Sequence, residues 1–216
     1  MKALTPSEIV FCDNHLLIAM KPPGLLTQPT EQEELSLEQL AKQWVKKEYA
    51  KSGNVFLHCI HRLDRPVSGL VLFARTSKAL SRLNEQSRAQ EIQRIYTAEV
   101  QGVLGEPQGK LDHYLIHAEH RAQVAKSTDV DAKHCRLTYE VLRRSERRTL
   151  VKVELETGRY HQIRAQFGAI GHPIVGDSKY GGSGDGKEIH LHCSYLALKH
   201  PVTQELLKFE SSPTFS

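Results

Sequence analysis

The sequence lacks any long apolar run. No stretch approaches the roughly 18 consecutive apolar residues of a membrane-spanning helix, although hydrophobic residues make up 39% of the chain. The first twenty residues, "MKALTPSEIVFCDNHLLIAM", carry Asp13, Asn14 and His15 in their second half, which interrupts the apolar core that a secretory signal peptide needs. We therefore expect a cytoplasmic protein without a membrane-spanning segment.

Cysteine is scarce and shows no motif spacing. The four cysteines are Cys12, Cys59, Cys135 and Cys193. They stand far apart with no CxxC pair, which argues against a disulfide framework and favours reduced core thiols. The segments "HCIH" and "IHLHC" add histidines, but on a strand His190 and His192 share one face and Cys193 lies on the other. This pattern does not favour a zinc site.

Low-complexity tracts and internal repeats are also absent, and 216 residues are enough for one domain. The net charge of +4 is a weak signal by itself, but the charge is unevenly distributed. Residues 1–54 carry six Lys/Arg against seven Asp/Glu, whereas residues 133–164 carry nine against four, a local net charge of +5. Such a basic segment fits either a groove that binds a polyanion or a solvated strand face, and charge alone leaves both open.

Short periodic segments predict many strands and few helices. Apolar patterns predict strands at 8–19 (two, joined at Asp13-Asn14), 55–60, 69–74, 93–102, 135–142, 149–155 and 188–198. Helices are predicted after Ser36, from Thr76 or Ser77 to about Gln90, and after Thr157 to Gly171. Residues 105–134 are expected to form hairpins and loops. Adjacent strands with few helices predict a single α+β domain, residues 1–216, with a mixed, mainly antiparallel sheet.

The stretch "HCIHRLDRPVSGLVLFA", residues 58–74, places one acid at a sharp corner between two strands. Asp64 stands between Arg62 and Arg65, and Pro66 restricts the backbone that follows. The ordinary interpretation is a turn carboxylate that is satisfied by neighbouring N–H groups or by an arginine. The alternative is a carboxylate aimed at a reaction, with arginines placed where phosphates approach.

A second polar segment is "TGRYHQIR" at residues 157–164. If a helix begins after Thr157, Tyr160 and Arg164 share one of its faces, four residues apart. Arg164 then borders the apolar stripe that contains Ile163. In that position it either points inward to a buried anion or extends its guanidinium to water.

These residues resemble the RluA family of RNA pseudouridine synthases. "HRLDRPVSGL" is similar to the family's catalytic motif and "TGRYHQIR" to its later motif, with "RIY" at 94–96 between them. "KPPGL" at 21–25 and "GHPIVGDSKYG" at 171–181 match the first motif and the tail, so the resemblance spans nearly the whole chain in family order. Val67 stands where relatives usually carry Thr. The chain looks like the form without the accessory N-terminal RNA-binding domain.

The resemblance implies a pseudouridine synthase fold with a central active-site cleft, and an isomerisation. A uridine within RNA loses its N1–C1′ bond, the base rotates, and C5 bonds to C1′, without a cofactor or metal. The family's catalytic aspartate maps to Asp64. Whether that carboxylate attacks the substrate or removes the 2′ proton stays open. Both routes need an ionised carboxylate, which burial alone disfavours, and Arg164 is the implied cationic partner.

The resemblance also assigns residues to substrate binding. Tyr96 is expected to stack on the target base, with a core tyrosine as the alternative, and Ile163 is expected to form an apolar wall near the base. Arg62 is expected to contact a backbone phosphate or the flipped base, with a plain surface role as the alternative. Lys21 is interpreted as a phosphate contact or as a surface lysine.

The implied partner is RNA, either rRNA or tRNA, bound by a monomer with no obligatory protein partner and no membrane. Base contacts are expected in loops such as residues 105–134. Two other classes stay in view. A non-catalytic RNA-binding module would keep the basic segments but would not need Asp64. A glycosidase would use a second carboxylate as its acid/base, and these motifs lack one.

Overall fold

The computed structural model describes residues 4–5 and 8–215. The chain divides into two compact units. The first unit contains Met1–Ile92 and Tyr195–Ser211, and the second contains Gln93–Ser194 and Ser212–Ser216. Each unit has its own set of antiparallel strands, and one strand near the C-terminus contributes residues to both.

The first unit has a sheet whose central strands are almost wholly apolar. Its strands are β1 (Ile9–Cys12), β2 (Leu16–Lys21), β3 (His58–Cys59), β4 (Ser68–Ala74), the Tyr195–Lys199 part of β10 (Leu191–Lys199), and β11 (Leu206–Glu210). β2 pairs with β1 and β4, β3 with β4, and β10 with β11, all antiparallel. The segments "LLIA" of β2 and "LVLF" of β4 are fully buried, so both faces of these strands are covered.

Two capped helices also belong to the first unit. They are α1 (Leu37–Glu48) and α2 (Ser77–Arg88). Ser36 Oγ accepts a hydrogen bond from Gln39 N (3.3 Å), and Thr76 Oγ1 accepts one from Ala79 N (3.1 Å). Both side chains thereby satisfy an N–H group of the first helical turn. The predicted starts of these two helices are confirmed.

The second unit has five long or paired strands and one helix. They are β5 (Gln93–Gln101), β6 (Gln108–Ala118), β7 (Arg121–Ala125), β8 (Lys133–Arg144), β9 (Arg148–Leu155) and α3 (Gln162–Ala169). The strands pair antiparallel in the order β5-β9-β8-β6-β7. The Phe167 ring of α3 lies 5.7 Å from the Tyr139 ring of β8. Tyr139, Val153 and Tyr96 are paired across three strands and therefore share the face that α3 covers.

The expected α+β class with a mixed, mainly antiparallel sheet is confirmed. Residues 105–134 form a hairpin and loops, as predicted, although β6 is longer than a typical hairpin strand. Two details of the strand prediction are wrong. The strand expected at 55–60 is only the two residues of β3, and β11 lies beyond the last predicted strand. β11, with the sequence "LLKFE", does alternate apolar Leu207 and Phe209 with polar Lys208 and Glu210, so this strand was missed although its period-2 pattern is present.

The start of α3 also differs from the prediction. The helix begins at Gln162, preceded by His161 in a left-handed conformation (φ 53°), and Thr157 is not its cap. The Gln162 Oε1 atom instead accepts hydrogen bonds from Thr157 Oγ1 (2.8 Å) and from Arg159 N (3.0 Å). The side chain of Gln162 thereby holds the preceding residues in a turn, which delays the first helical residue.

Tyr160 consequently lies in that turn and not in the helix. The expectation that Tyr160 and Arg164 share a helical face is wrong, because helical spacing applies only from Gln162 onward. The other end of α3 follows the prediction. The helix ends at Ala169, and Gly171 follows with φ 79°, the left-handed conformation that commonly terminates a helix.

None of the helices among the described residues is long and apolar enough to cross a membrane. All four cysteines are free; Cys135 and Cys193 are buried, and Cys12 and Cys59 are partly buried. Burial raises the pKa of Cys59 to about 12, so this thiol is protonated and unreactive at neutral pH. Within the described part of the chain, no group of three or more His, Cys, Asp or Glu side chains could hold a metal ion.

Candidate active site

Asp64 lies at a corner whose backbone is held on both sides. Leu63 N donates to Thr27 Oγ1 (3.1 Å), and the same hydroxyl donates to Leu63 O (2.8 Å). On the other side, Val67 N donates to Asp64 O (3.0 Å) and closes the turn. Leu63 and Val67 are buried, whereas Asp64 between them is half-buried. The corner therefore fixes the backbone of Asp64 and leaves this residue partly accessible.

Lys21, the last residue of β2, is fully buried beside this corner. Its Nζ donates to the carbonyl oxygens of Pro22 (3.0 Å), Leu25 (2.7 Å) and Arg65 (3.0 Å), which matches the three N–H groups of an ammonium. The bond to Arg65 joins the "KPPGL" loop to the residue that follows Asp64. The expected surface position of Lys21 is wrong, and so is a direct phosphate contact, because the side chain does not reach solvent.

Opposing effects act on the charge of Lys21. Burial lowers the pKa of Lys21 to about 7, the carboxylate of Asp64 raises this pKa, and the charge of Arg65 lowers it. Opposite charges favour each other's ionised forms. Lys21 is therefore a buried basic group of the first unit whose charged form the candidate catalytic carboxylate favours.

The two arginines beside Asp64 have different environments. Arg65 Nε donates to Gly24 O (2.9 Å) and its Nη1 donates to Glu33 (2.9 Å), while Gly24 N donates to Arg65 O (2.8 Å). Gly24 has φ 81°, a conformation that favours glycine. Arg65 therefore braces the loop that carries Gly24. Arg62 is exposed, and its contact with the substrate stays a prediction.

Tyr96 and Ile163 are both buried in the second unit. Tyr96 is 6% exposed on β5, and Ile163 is 5% exposed in the first turn of α3. Through its pairing with Val153, Tyr96 lies on the sheet face that α3 covers. The structure therefore places Tyr96 and the helix that carries Ile163 on the same side of this sheet. This placement fits the predicted stacking role and the alternative core role equally.

Arg164 is buried and holds a carboxylate through two parallel hydrogen bonds. Its Nε donates to Asp177 Oδ2 (2.7 Å) and its Nη2 donates to Asp177 Oδ1 (2.9 Å). The two side chains are 5% and 1% exposed. The guanidinium carbon lies 5.2 Å from the centre of the Tyr180 ring. The alternative in which Arg164 extends to water is wrong, and the bidentate pair fixes the orientation of its guanidinium.

His161 adds a third contact to Arg164. Arg164 Nη1 lies 2.9 Å from His161 Nε2, and because a guanidinium only donates, Nε2 must accept. The proton of the neutral imidazole is then on Nδ1, which donates to Tyr180 Oη at 2.9 Å. Ala122 N donates to the same phenol oxygen (2.8 Å). A chain of hydrogen bonds thus runs from β7 to the guanidinium.

Comparison with known proteins assigns this arrangement to a family. The family model for RNA pseudouridylate synthase matches residues 15–169, a range that includes Asp64, Tyr96 and Arg164. The chain belongs to the RNA pseudouridylate synthase family. As a member of that family it is an RNA isomerase, and the resemblance drawn from its motifs is confirmed.

Individual relatives extend the match over nearly the whole synthase. This chain is 36% identical to "Dual-specificity RNA pseudouridine synthase RluA" of Pasteurella multocida, over 96% of this chain and 94% of the relative. It is 34% identical to "Ribosomal large subunit pseudouridine synthase D" of Pseudomonas aeruginosa, over 94% of this chain and 67% of the relative. The solved structure of "Human RNA Pseudouridylate Synthase Domain Containing 4" has a TM-score of 0.81 at 21% identity, covering 97% and 90% of the two chains. That likeness shows the same fold.

The predicted site residues of this synthase fall in both units. Asp64 and Arg62 belong to the first unit, and Tyr96, Ile163 and Arg164 belong to the second. Within the second unit, the structure brings Tyr96 and α3 to one sheet face. The catalytic and substrate-binding roles of all five residues stay predictions.

The partners of Arg164 were not predicted from the sequence of the synthase. The motif "GDSKYG" predicts a glycine-rich loop, yet its aspartate, Asp177, is fully buried. One signal was available, because an arginine that turns inward from an apolar stripe needs a carboxylate. Asp177 is only 13 residues from Arg164 along the chain. His161 and Tyr180 carry no comparable signal, since their roles depend on a hydrogen-bonded chain that only the fold assembles.

Three of the nine cations in residues 133–164 are paired with carboxylates on the outer sheet face of the synthase. The ion pairs are Arg136–Asp112 (2.9 Å), Arg136–Glu156 (3.3 Å), Arg148–Glu99 (3.2 Å) and Lys152–Glu140 (3.7 Å). For these three cations the solvated strand face is the correct interpretation. A groove for a polyanion therefore does not rest on them.

Proposed function

We propose that this synthase isomerises uridines in rRNA or tRNA to pseudouridine, with Asp64 as its essential carboxylate. The observation that carries the proposal is the corner itself, where Thr27 Oγ1 bridges the backbone of Leu63 and Lys21 Nζ bonds to the carbonyl oxygen of Arg65. A carboxylate that only satisfied a turn would not need both of its neighbours held by side chains from another part of the chain. The relatives' names, a dual-specificity RNA pseudouridine synthase and a ribosomal large subunit pseudouridine synthase, support RNA substrates of more than one kind.

The isomerisation breaks the N1–C1′ bond, forms the C5–C1′ bond and releases the proton of C5. In the proposed mechanism, Asp64 either attacks the substrate or removes the 2′ proton, and both routes need its carboxylate ionised. The family resemblance assigns Arg164 as the ion partner that keeps the carboxylate charged. Asp177 and His161 hold the guanidinium of Arg164 through three of its N–H groups and so fix its orientation.

The target uridine must leave its stack before its glycosidic bond is reached. Unstacking costs a few kcal/mol, and stacking on an aromatic side chain offsets about 1–3 kcal/mol of it. Tyr96 is the proposed stacking platform, and Ile163 is the proposed apolar wall. Arg62, exposed beside the corner, is the proposed contact to a phosphate or to the flipped base. The proposal includes a monomer that works in the cytoplasm without a cofactor.

Tritium release from RNA labelled at uridine C5 tests this proposal, since C5–H is lost when C5 bonds to the sugar. Wild type, Asp64→Asn and the control Asp185→Asn are incubated with bulk rRNA and with bulk tRNA in parallel. Asp185 is an exposed aspartate of the glycine-rich loop. We expect release by wild type and by Asp185→Asn. For Asp64→Asn we expect release that is slower by about 10³-fold or more, with an unchanged unfolding midpoint.

The outcomes separate the parts of the proposal. Release by Asp64→Asn at the wild-type rate would contradict the catalytic role of that carboxylate. Absence of release by wild type from both pools would contradict rRNA and tRNA as substrates. The pool that responds identifies the substrate class.

A further inference from the structure

An exposed aromatic side chain stands in the turn before α3, outside the predicted site. Tyr160 is 42% exposed, although the next residue, His161, is 8% exposed and bonds to Arg164. The turn itself is held by the side chain of Gln162. The local fold therefore does not require a large aromatic ring at this surface position. Tyr160 directly precedes His161, which bonds to Arg164.

The Tyr160 ring stacks with two imidazoles. Its centre lies 3.8 Å from that of His161, with the planes inclined by 20°, and 4.8 Å from that of His117, with the planes inclined by 34°. His117 is itself exposed on β6. These three residues, His117, Tyr160 and His161, form what we call the ring ladder. It leads from the surface of the second unit to the guanidinium of Arg164.

Lys179 borders the ring ladder, and a second cation, Arg121, lies in the neighbouring hairpin. Lys179 Nζ donates to His120 O (2.8 Å), and Tyr160 Oη lies 3.5 Å from the same oxygen, so the ammonium and the phenol converge on one atom. Arg121 follows His120 in the same hairpin. Arg121 and Lys179 both line a cavity of about 340 Å³ between β7, α3 and the 3-10 turn Ser178–Tyr180.

We propose that the ring ladder, with Lys179 and Arg121, binds a nucleotide that flanks the target uridine in the RNA substrate. This inference rests on the proposed function and adds a contact outside the reacting base. A base of any sequence has a π face that stacks on an exposed aromatic ring, here His117 at the outer end of the ladder, and its phosphate matches the two cations. Glu119 in the same hairpin turn is 91% exposed, so solvent screens its opposing charge.

The chemistry of this surface favours an RNA strand over a protein partner. A flat ring beside an ammonium and a guanidinium matches the alternation of base and phosphate along a single strand. A protein interface of useful affinity would instead have a contiguous apolar centre. The exposed side chains that share contacts with Tyr160 are polar or charged, namely His117, His120 and Lys179. The adjoining cavity has one exposed valine, Val124, beside the cations Arg121 and Lys179.

Substitutions of Tyr160 test the ring ladder by tritium release from labelled RNA. Tyr160→Ala removes the ring that supports His117 and is expected to raise KM by roughly 5- to 150-fold, the range that corresponds to loss of one base–aromatic stack, with kcat close to wild type. Tyr160→Phe keeps the ring and is expected to behave as wild type. Tyr160→Leu keeps bulk without a π face and is expected to follow Tyr160→Ala.

Tyr49→Ala is the matched control. Tyr49 is also 42% exposed, but it lies in the first unit with the guanidinium of Arg75 over its ring at 4.4 Å. Its loss is expected to leave KM unchanged. If circular dichroism shows that Tyr160→Ala is unfolded at the assay temperature, His117→Ala and Lys179→Gln replace it, since both residues are exposed, and each is expected to raise KM.

Three outcomes would overturn the inference. One is a KM for Tyr160→Ala within about twofold of wild type. Another is a fall in kcat at unchanged KM, which would show that Tyr160 acts through His161 on Arg164. The third applies if wild type releases no tritium, in which case the proposed function has failed and equilibrium binding of the same RNAs tests the ring ladder alone. Equal binding by Tyr160→Ala and wild type would then overturn the inference, whereas weaker binding by Tyr160→Ala would support it.

Discussion

Asp64 and Arg164 are both held in place, but by different kinds of partner. At the Asp64 corner the supporting groups bond to the backbone: Lys21 Nζ reaches three carbonyl oxygens, and Thr27 bridges the N–H and C=O groups of Leu63. Around Arg164 the supporting groups are side chains. Asp177 and His161 contact the guanidinium itself.

This difference determines what each support controls. Bonds to the backbone fix the path of the chain and orient Asp64 only through it, so we expect their loss to act first on stability. Bonds to the guanidinium fix a functional group directly, so we expect their loss to act first on turnover. Substitutions of Lys21 and Asp177 therefore test the comparison from its two sides.

The largest effect on stability is expected from Lys21→Met. Methionine keeps much of the length and apolar volume but leaves the carbonyl oxygens of Pro22 and Leu25 without this donor, while Arg65 O keeps the N–H of Gly24. Each buried acceptor without a partner costs about 1–3 kcal/mol, and local movement relieves part of this, so we expect the free energy of unfolding to fall by about 2–4 kcal/mol. Urea unfolding followed by circular dichroism measures it.

Lys46→Met is the control for that substitution, because Lys46 is exposed on α1 of the same unit and its loss is expected to change stability little. If Lys21→Met is as stable as Lys46→Met, the buried ammonium does not support the corner. If Lys21→Met is stable but inactive in tritium release, Lys21 acts on the charge of Asp64 and not on the backbone.

A smaller loss of stability and a clear loss of turnover are expected from Asp177→Asn. The amide oxygen still accepts from one N–H of Arg164, but the amide NH₂ faces another donor, and the lost charged hydrogen bond costs about 1.5–3 kcal/mol. Because the guanidinium loses its fixed orientation, kcat is expected to fall by about 10- to 100-fold while KM changes little. Tritium release over a range of RNA concentrations separates the two constants.

Asp177→Glu sharpens this test, since it restores the negative charge on a longer side chain and is expected to recover part of kcat. Asp185→Asn, in the same loop, is expected to match wild type. Wild-type turnover by a folded Asp177→Asn would show that His161 and the surrounding packing are enough to orient Arg164.

The last effect, the smallest for each unit of change, concerns pH and again involves Lys21. Burial lowers its pKa to about 7, whereas a lysine in an unfolded chain titrates near about 10.4. Between these values the unfolded state binds more protons, so the stability of wild type relative to Lys21→Met is expected to rise with pH, by at most about 1.4 kcal/mol per pH unit. Below about pH 7 both states hold the proton, and the relative stability is constant.

Urea unfolding at about pH 6, 8 and 9.5 measures this dependence. The control is again Lys46→Met, which is expected to keep a constant difference from wild type. A constant difference for Lys21→Met as well would show that the three carbonyl oxygens and Asp64 keep Lys21 charged across the whole range.

Most elements of the fold could be predicted from local patterns. Ser36 and Thr76 mark the starts of α1 and α2 because their side chains bond N–H groups three residues away. The same reasoning was wrong at Thr157. Its hydroxyl donates a hydrogen bond to the side chain of Gln162, the first residue of α3, and does not cap the helix. The prediction also missed β11, which is only five residues long, although Leu207 and Phe209 alternate with Lys208 and Glu210.

The sequence by itself determined the family, the α+β class and the corner that carries Asp64, because motif spacing and apolar periodicity are properties of the chain. Only the tertiary structure decided the partners of the buried charges. Lys21 has the sequence signature of a surface residue, yet it is buried among carbonyl oxygens, and Arg164 meets Asp177 through the folding of a glycine-rich loop. The physical reason is that a buried charge must be neutralised or hydrogen-bonded wherever it lies. Which group does so depends on what the fold brings within about 3 Å of it.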